Sequence, residues 1–359
     1  MKGTEDIAEM VERLLKEACK ERGHINVLIA GRSGVGKSTL INALFQGDFA
    51  ATGQGRPVTA CTREITKEGI PLTIFDTRGL EMKAFRETLT ELENLVSTRN
   101  RDTDHKRHIH VAWLCIQEGG SRVESAEIDL HNMLSKHMPV IGVITKAKND
   151  NGFKNEVQKL LPQARNIIRI RAIPEQFDDG HIMPPMGLEE LVQLTSEVIP
   201  EAIRNAFSAA QKASIQNKKD SANKIVVAAA ATAVAAGASP IPFSDAAILV
   251  PIQIGMLAKI SAVFGLTLSK AFLMTLVASV AGAGGAAYVG RTIVGNLIKF
   301  VPGIGIIVGG VISGATAGLL TTALGEIYIA VLVKLFCKTG GEAPSEDDII
   351  NEFKAKLKL

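Results

Sequence analysis

The stretch that most constrains this chain is GRSGVGKS, Gly31 to Ser38. It satisfies G-x-x-x-x-G-K-[ST] at every position. Its flanks matter as much as the match. HINVLIA, residues 24–30, is a short apolar run rich in β-branched residues and reads as a buried strand; TLINALFQ beyond the motif reads as a helix. Strand, Gly-rich loop and helix in that order gather backbone N–H groups at a helix N-terminus, where an anion is favoured. The pattern therefore assigns Gly31, Ser33, Gly34, Val35, Gly36, Lys37, Ser38 and Thr39 to a phosphate-binding loop. Lys37 is expected to reach the β- and γ-phosphates and Ser38 to ligate Mg²⁺. The bland alternative is a Gly-rich turn with a chance Lys-Ser pair, and the flanking strand and helix argue against it.

The following segments supply the other parts such a loop needs. REITKEGIPLTIF (63–75) reads as two strands joined at Glu68-Gly69, and FDTRG (Phe75 to Gly79) closes the second. Asp76 is then a carboxylate that holds Mg²⁺ through its water shell, and Gly79 offers a backbone N–H to the γ-phosphate. Between them, GRPVTACTREI must supply a threonine that senses the γ-phosphate through the metal. Thr59 and Thr62 both qualify; Thr62, which leads into Arg63, Glu64 and a strand, is favoured. The expected metal set is Ser38, Thr62 and Asp76. IHVAWLCI, PVIGVIT and NIIRIRA read as further buried strands, with helices at 81–96, 123–136 and 153–161 and a polar loop over 97–108. Strands alternating with helices imply an α/β fold with a mainly parallel sheet covered on both faces.

Charge then divides the chain. Residues 222–340 hold nine charged side chains, and the remaining 240 residues hold 68. Expected segments are an N-terminal amphipathic helix (1–22), an α/β domain (23–186), linking helices (187–221), an all-α, apolar, Gly/Ala-rich domain (222–340) and a charged tail (341–359). The net charge of +3 is too small to argue for nucleic acid, and no DNA partner is expected. Cys19, Cys61, Cys115 and Cys337 are isolated in sequence, which fits a reducing compartment and argues against a zinc site. The charged N-terminus lacks the pattern of a secretory signal.

Together, GRSGVGKS, FDTRG and the strand pattern resemble the Era/TrmE-like branch of the translation-factor class of P-loop GTPases, with a Ras-like fold. WLCIQEGGSRVESAEIDL (113–130) is similar to the segment after the third motif of such proteins. ASPIPFSDAAILVPIQIGMLAKISAVFGL (238–266) and KFVPGIGIIVGGVISGATAGLLTTALGE (299–326) resemble the apolar helical domain of unknown function fused to bacterial GTPases of this kind. The resemblance implies GTP/GDP and Mg²⁺ as ligands and a nucleotide switch. It also exposes departures. Leu80 follows the DxxG where Ras-like enzymes place a catalytic Gln, which implies slow intrinsic hydrolysis and a need for an activating partner or a second protomer. Gly34 replaces the Asn of potassium-activated relatives. Arg78 replaces the usual Pro, as a cis-acting cation for the transition state or a solvated residue.

The base-reading stretch is VITKAKND, Val143 to Asp150. The resemblance implies Asn/Thr-Lys-x-Asp here. Thr145 and Lys146 are in place to pack under the ring, but Lys148 stands where a carboxylate should accept from guanine's two adjacent N–H donors. Asp150, two residues late, is the candidate replacement, and Ala172 falls at the family's small residue beside the base. Guanine specificity and relaxed or adenine specificity both remain open at this stage.

The apolar domain contains three charge-free stretches, 225–244, 271–290 and 300–325, each long enough to cross a bilayer. Gly310, Gly314 and Gly318 share one helix face, as do Gly305 and Gly309, a spacing that lets helices pack backbone to backbone. Pro240, Pro242, Pro251 and Pro302 interrupt the runs, as the helices of a soluble bundle would allow. Seven basic against two acidic residues in 222–340 suit an anionic membrane surface. The expectation is a cytoplasmic GTPase switch, membrane-associated on the cytosolic face through this domain. Alternatives are a membrane-inserting scaffold whose assembly is gated by nucleotide, and a soluble Era-like ribosome- or RNA-associated GTPase.

Overall fold

The computed structural model describes residues 7–47, 56–57, 62–77, 85–237, 245–266, 269–281 and 314–357. They form two compact units, Gly23–Ser214, and Met1–Arg22 with Ile215–Leu359.

The first unit is built on a seven-stranded sheet. Its strands are β1 (Ile25–Ala30), β2 (Arg56–Pro57), β3 (Thr62–Thr66), β4 (Leu72–Thr77), β5 (Val111–Gln117), β6 (Val140–Thr145) and β7 (Asn166–Arg169). The spatial order is β2-β3-β4-β1-β5-β6-β7. β4, β1, β5, β6 and β7 run parallel, while β3 pairs antiparallel with β4 and β2 with β3. The parallel strands read as unbroken apolar runs because both faces are covered, and every residue of β1 and β6 is buried. On one face lie α2 (Lys37–Leu44), α6 (Leu188–Val198) and α7 (Glu201–Ala210); Leu40, Leu44, Leu191 and Phe207 meet Val27, Ile29, Trp113 and Val143. On the other lie α3 (Phe85–Asn100), α4 (Ser125–Leu134) and α5 (Phe153–Leu160); Leu92, Leu130 and Val157 meet Leu28, Leu114 and Ile144. The mainly parallel α/β expectation is met.

Several details depart from the sequence reading. The polar stretch STRN (97–100) remains helical as the last turn of α3. Helices α6 and α7, read as linkers, sit in this unit's core. Trp113 Nε1 donates to Thr195 Oγ1 at 3.2 Å and stacks on Phe45 at 5.7 Å. The chain after α7 is strapped to the end of α2: Gln46 N donates to Ala210 O and Lys212 N to Leu44 O. A small hairpin, β8 (Glu175–Gln176) and β9 (Ile182–Met183), also stands apart from the main sheet. Two-residue strands leave no period for a sequence to show.

The second unit is helical: α1 (Ile7–Arg22), α8 (Ile215–Gly237), α9 (Asp245–Phe264), α10 (Lys270–Ala281), α11 (Gly314–Lys338) and α12 (Glu346–Lys356). Val11, Leu14, Leu15 and Ala18 of α1 enter the same core as Leu257, Phe272, Leu324 and Phe336. The charged tail is folded, with Ser345 Oγ accepting from Asp348 N at the start of α12 and Phe353 buried against Tyr328. A side chain on Gly318 would meet Val234 Cγ2 at 2.5 Å, and one on Gly325 would meet Val226 Cγ2 at 2.5 Å. Small residues on α11 thus admit α8 at close range. Gly305, Gly309 and Gly310 lie outside the described residues. Among those described, α11 is the one helix long and apolar enough to cross a membrane, and 56% of its most apolar stretch is buried.

Candidate nucleotide-binding site

The site sits at the carboxyl ends of the parallel strands, where an open α/β sheet binds its ligands. The loop after β1 turns on glycines. Gly36 has φ 104° at the start of α2, a conformation costly to a residue with a Cβ. A Cβ on Gly31 would run into the Cys115 carbonyl of β5. Lys37 is buried, and its ammonium donates to Gly31 O at 2.8 Å and Arg32 O at 3.1 Å, at the centre of the loop. Ser38 is exposed in the first turn of α2, with Thr39 half-buried behind it and Ser33 exposed. Burial pushes the Cys115 thiol up to about 12, with Lys37 drawing it down and Asp76 adding to the rise. That places Cys115 beneath the loop as an inert thiol.

Sheet register decides which residues share a face. Asp76 is two residues beyond Ile74, whose side chain lies in the core with α2, so Asp76 points to the α2 side. Thr62 pairs directly with Thr77, and Arg63 with Asp76. Directly opposed residues point to one face and neighbours alternate. Thr62, fully buried, therefore faces away from Asp76 and Ser38. The structure brings Ser38 and Asp76 to one side of the sheet and does not bring Thr62 there. Thr59, Arg78 and Gly79 lie outside the described residues.

The β6 loop is fastened to the phosphate loop. Thr145 Oγ1 lies 2.6 Å from Val35 O and 3.2 Å from Ile116 O. Lys146, with φ 53°, donates from Nζ to Gly34 O at 2.7 Å. Ala172 lies half-buried beyond β7. The 148–150 stretch differs from expectation. Asp150 accepts from Lys154 N at 2.8 Å through Oδ1, and its carbonyl accepts from Phe153 N, so it opens α5. Lys148 ion-pairs with Glu175 of β8 and lies 5.6 Å from the Phe177 ring centroid.

Sequence reasoning missed the residue that holds this stretch. Glu118, at the end of β5, accepts from the backbone N–H groups of Lys148 and Asn149 and from Arg169 Nε at 2.6 Å. Burial raises its carboxyl, but the Arg169 hydrogen bond and the two backbone donors outweigh burial and hold it below the ordinary range. Arg171 is a second clamp: Nε donates to Ala147 O and Nη1 to Pro184 O. The available signal was Gln117 and Glu118 directly after a buried strand beside TKAK, two polar residues at a carboxyl end.

Residues 26–146 match the family model described as 50S ribosome-binding GTPase, and residues 203–358 match the domain of unknown function DUF697. The tRNA modification GTPase MnmE of Cupriavidus pinatubonensis is 30% identical over 151 residues, 39% of this chain and 30% of that protein. Magnetosome membrane protein 22 of Magnetospirillum gryphiswaldense is 33% identical over 97 residues, 27% of this chain and 50% of that protein. The chain thus spans less than a third of that MnmE and half of the magnetosome protein. Among solved structures, the G domain of the T. maritima FeoB iron transporter superposes with a TM-score of 0.32 at 19% identity, covering 49% of this chain and 98% of that one.

Proposed function

We propose, from the match of residues 26–146 to a GTPase family and of residues 203–358 to the DUF697 domain, that this chain is a slow guanine-nucleotide switch whose helical domain associates with a membrane surface. The observation that carries the nucleotide reading is the fastening of Thr145 and Lys146 to Val35 and Gly34, with Lys37 at the loop centre. One rigid unit then presents both a phosphate cradle and the lysine stem on which a purine packs. Ser38 and Asp76, two hard oxygen donors on one side of the sheet, suit Mg²⁺. Bound there, Mg²⁺ would neutralise charge on the phosphate oxygens. Because Thr62 faces the other way, Thr59 is the better candidate for the threonine that senses the γ-phosphate.

Turnover is expected to be slow. Leu80 offers no group to orient a water, and Lys37 with the Gly79 N–H supplies charge stabilisation without a positioned nucleophile. Arg78, an activating protein or a second protomer would have to complete the site. Single-turnover hydrolysis measures this: we expect a rate near that of unassisted switches, of order 10⁻⁴ to 10⁻² per second. A rate of ten per second without a partner would overturn it.

The membrane reading is supported by exposed apolar side chains on the helical unit: Val227 (69% exposed) and Val234 (44%) of α8 and Leu319 (49%) of α11. The basic excess of this region suits anionic headgroups. In flotation with phosphatidylserine-containing vesicles, the protein should rise with the lipid more in one nucleotide state than the other. Equal flotation in both states would favour a constitutive anchor or scaffold; no flotation in either would sink the membrane reading.

A further inference from the structure

The site holds a lysine where guanine recognition calls for a carboxylate, and three acidic side chains surround it. Glu118 is committed: one oxygen accepts from Lys148 N and Asn149 N, the other from Arg169. Asp150 is turned towards α5, where Oδ1 accepts from Lys154 N with Arg169 Nε 3.7 Å away, although its side chain is 36% exposed and keeps acceptor capacity. Glu175 is set apart by its partner, the lysine that stands in the aspartate's place. Its side chain is 31% exposed, and Lys148 Nζ meets it through Oε1. A carboxylate has room for about four hydrogen bonds, so that ion pair leaves acceptor capacity.

Glu175 is also held in place from several directions. The hairpin begins three residues beyond Ala172. Arg171 and Met186 exchange backbone hydrogen bonds at 3.2 and 3.0 Å, and Phe177 N donates to His181 O. Arg171 ties this stem to residue 147 through the Ala147 carbonyl. Glu118 pins residue 148 by its N–H. Both ends of the Lys148–Glu175 pair are therefore anchored to the same loop, beside Lys146.

We propose that Glu175, delivered by the β8–β9 hairpin and held by Lys148, is the carboxylate that reads the guanine base. Lys148 is then a positioning residue, an arm that replaces the missing aspartate with a glutamate from another strand. The inference rests on the guanine-nucleotide reading above. Its chemistry is specific. A carboxylate accepts from guanine N1–H and the C2 amine together. A glutamine accepts from N1–H through its carbonyl and donates from its amide, which suits xanthine, where a carbonyl replaces that amine.

The test is equilibrium binding of GDP, XDP and ADP to the full chain, wild type against Glu175→Gln and Lys148→Ala. We expect wild type to prefer GDP over both. Glu175→Gln should weaken GDP by at least about tenfold and strengthen XDP, reversing the order. Lys148→Ala should weaken GDP without gain for XDP, since it loosens the carboxylate but leaves its chemistry intact. An unchanged GDP-to-XDP ratio in Glu175→Gln, or a reversal produced by Asp150→Asn instead, overturns the assignment while leaving the GTPase reading standing. Wild type that binds ADP as well as GDP overturns the guanine reading itself.

Discussion

His110 shows how far a single side chain here can tie stability to pH. Its Nδ1 accepts from Asn26 N at 2.9 Å, and Nε2 donates to His105 O at 3.2 Å, so the neutral ring in one tautomer completes both bonds. Burial, opposed by the His105 carbonyl and aided by His108, lowers it to about 4. The folded value lies below the unfolded value of about 6.5, so between those pH values the unfolded chain binds more protons. The stability contributed is complete above pH 6.5 and is lost as pH falls towards 4, on the order of 3 kcal/mol at the limit. Thermal melts from pH 7.5 to 4.5 should show a flatter decline in His110→Gln than in wild type. Parallel declines would refute the coupling. The same scale shows what sequence can and cannot disclose. Gly31, Gly36, Lys37 and Ser38 belong to one loop whose geometry is fixed by adjacent residues, so their spacing reveals the loop. Glu118, Arg169 and Glu175 meet their partners across 27 to 51 residues of chain, and the polar pair Gln117-Glu118 at the end of a buried strand is the one local hint of them. Thr62 shows the reverse: its type and neighbours suggested a place beside the phosphates, but pairing with Thr77 turns it to the face opposite Asp76.

At the scale of elements, the α8–α11 contact sets two known effects against each other. Replacing Gly325 by Ala should favour the helix by about 1 kcal/mol. The new methyl would sit 2.5 Å from Val226 Cγ2 and 3.1 Å from the Met256 sulfur. Val226 is β-branched and stiff in a helix, so it cannot swing aside cheaply, and overpacking of this kind costs about 1–3 kcal/mol. Gly325→Ala should therefore be destabilising, and Val226→Ala in the same chain should recover much of the loss. A stabilised single variant, read by urea denaturation, would show that the contact relaxes. The sequence foresaw close packing from the four-residue glycine spacing. Within the described residues the contacts fall at Gly318 and Gly325, seven apart, a repeat that only the partner helix defines. Likewise, α3 outlasts its apolar stripe into STRN, and the β8–β9 hairpin is too short to leave a period.

The whole molecule raises the question of where the N-terminal helix belongs. Its charge pattern resembles a surface helix, and its sequence precedes the first strand of the GTPase unit. Yet Val11, Leu14, Leu15 and Ala18 are buried in the helical unit, with Glu21 bound to Lys259 at 2.7 Å and Glu12 3.4 Å from Lys270. The composition shift near residue 222 could not show this, because an amphipathic helix carries its charge on the face it does not bury. The helical unit is thus closed by two segments from opposite ends of the chain, while the sheet unit holds its own cores within Gly23–Ser214. Deleting residues 1–22 should then have unequal effects. Loss of three large buried side chains, at about 1.5–3 kcal/mol each, would threaten the helical unit's fold. Nucleotide affinity should be unchanged, because Lys37, Thr145, Lys146 and Glu175 all lie in the other unit. The paired measurement is GDP affinity and the calorimetric unfolding profile of the truncated chain. A helical-unit transition that disappears or falls by 10 °C or more, roughly what several kcal/mol implies, with GDP binding intact, is the expected result. Lost GDP binding with an unaltered helical transition would place α1 in the service of the GTPase unit instead.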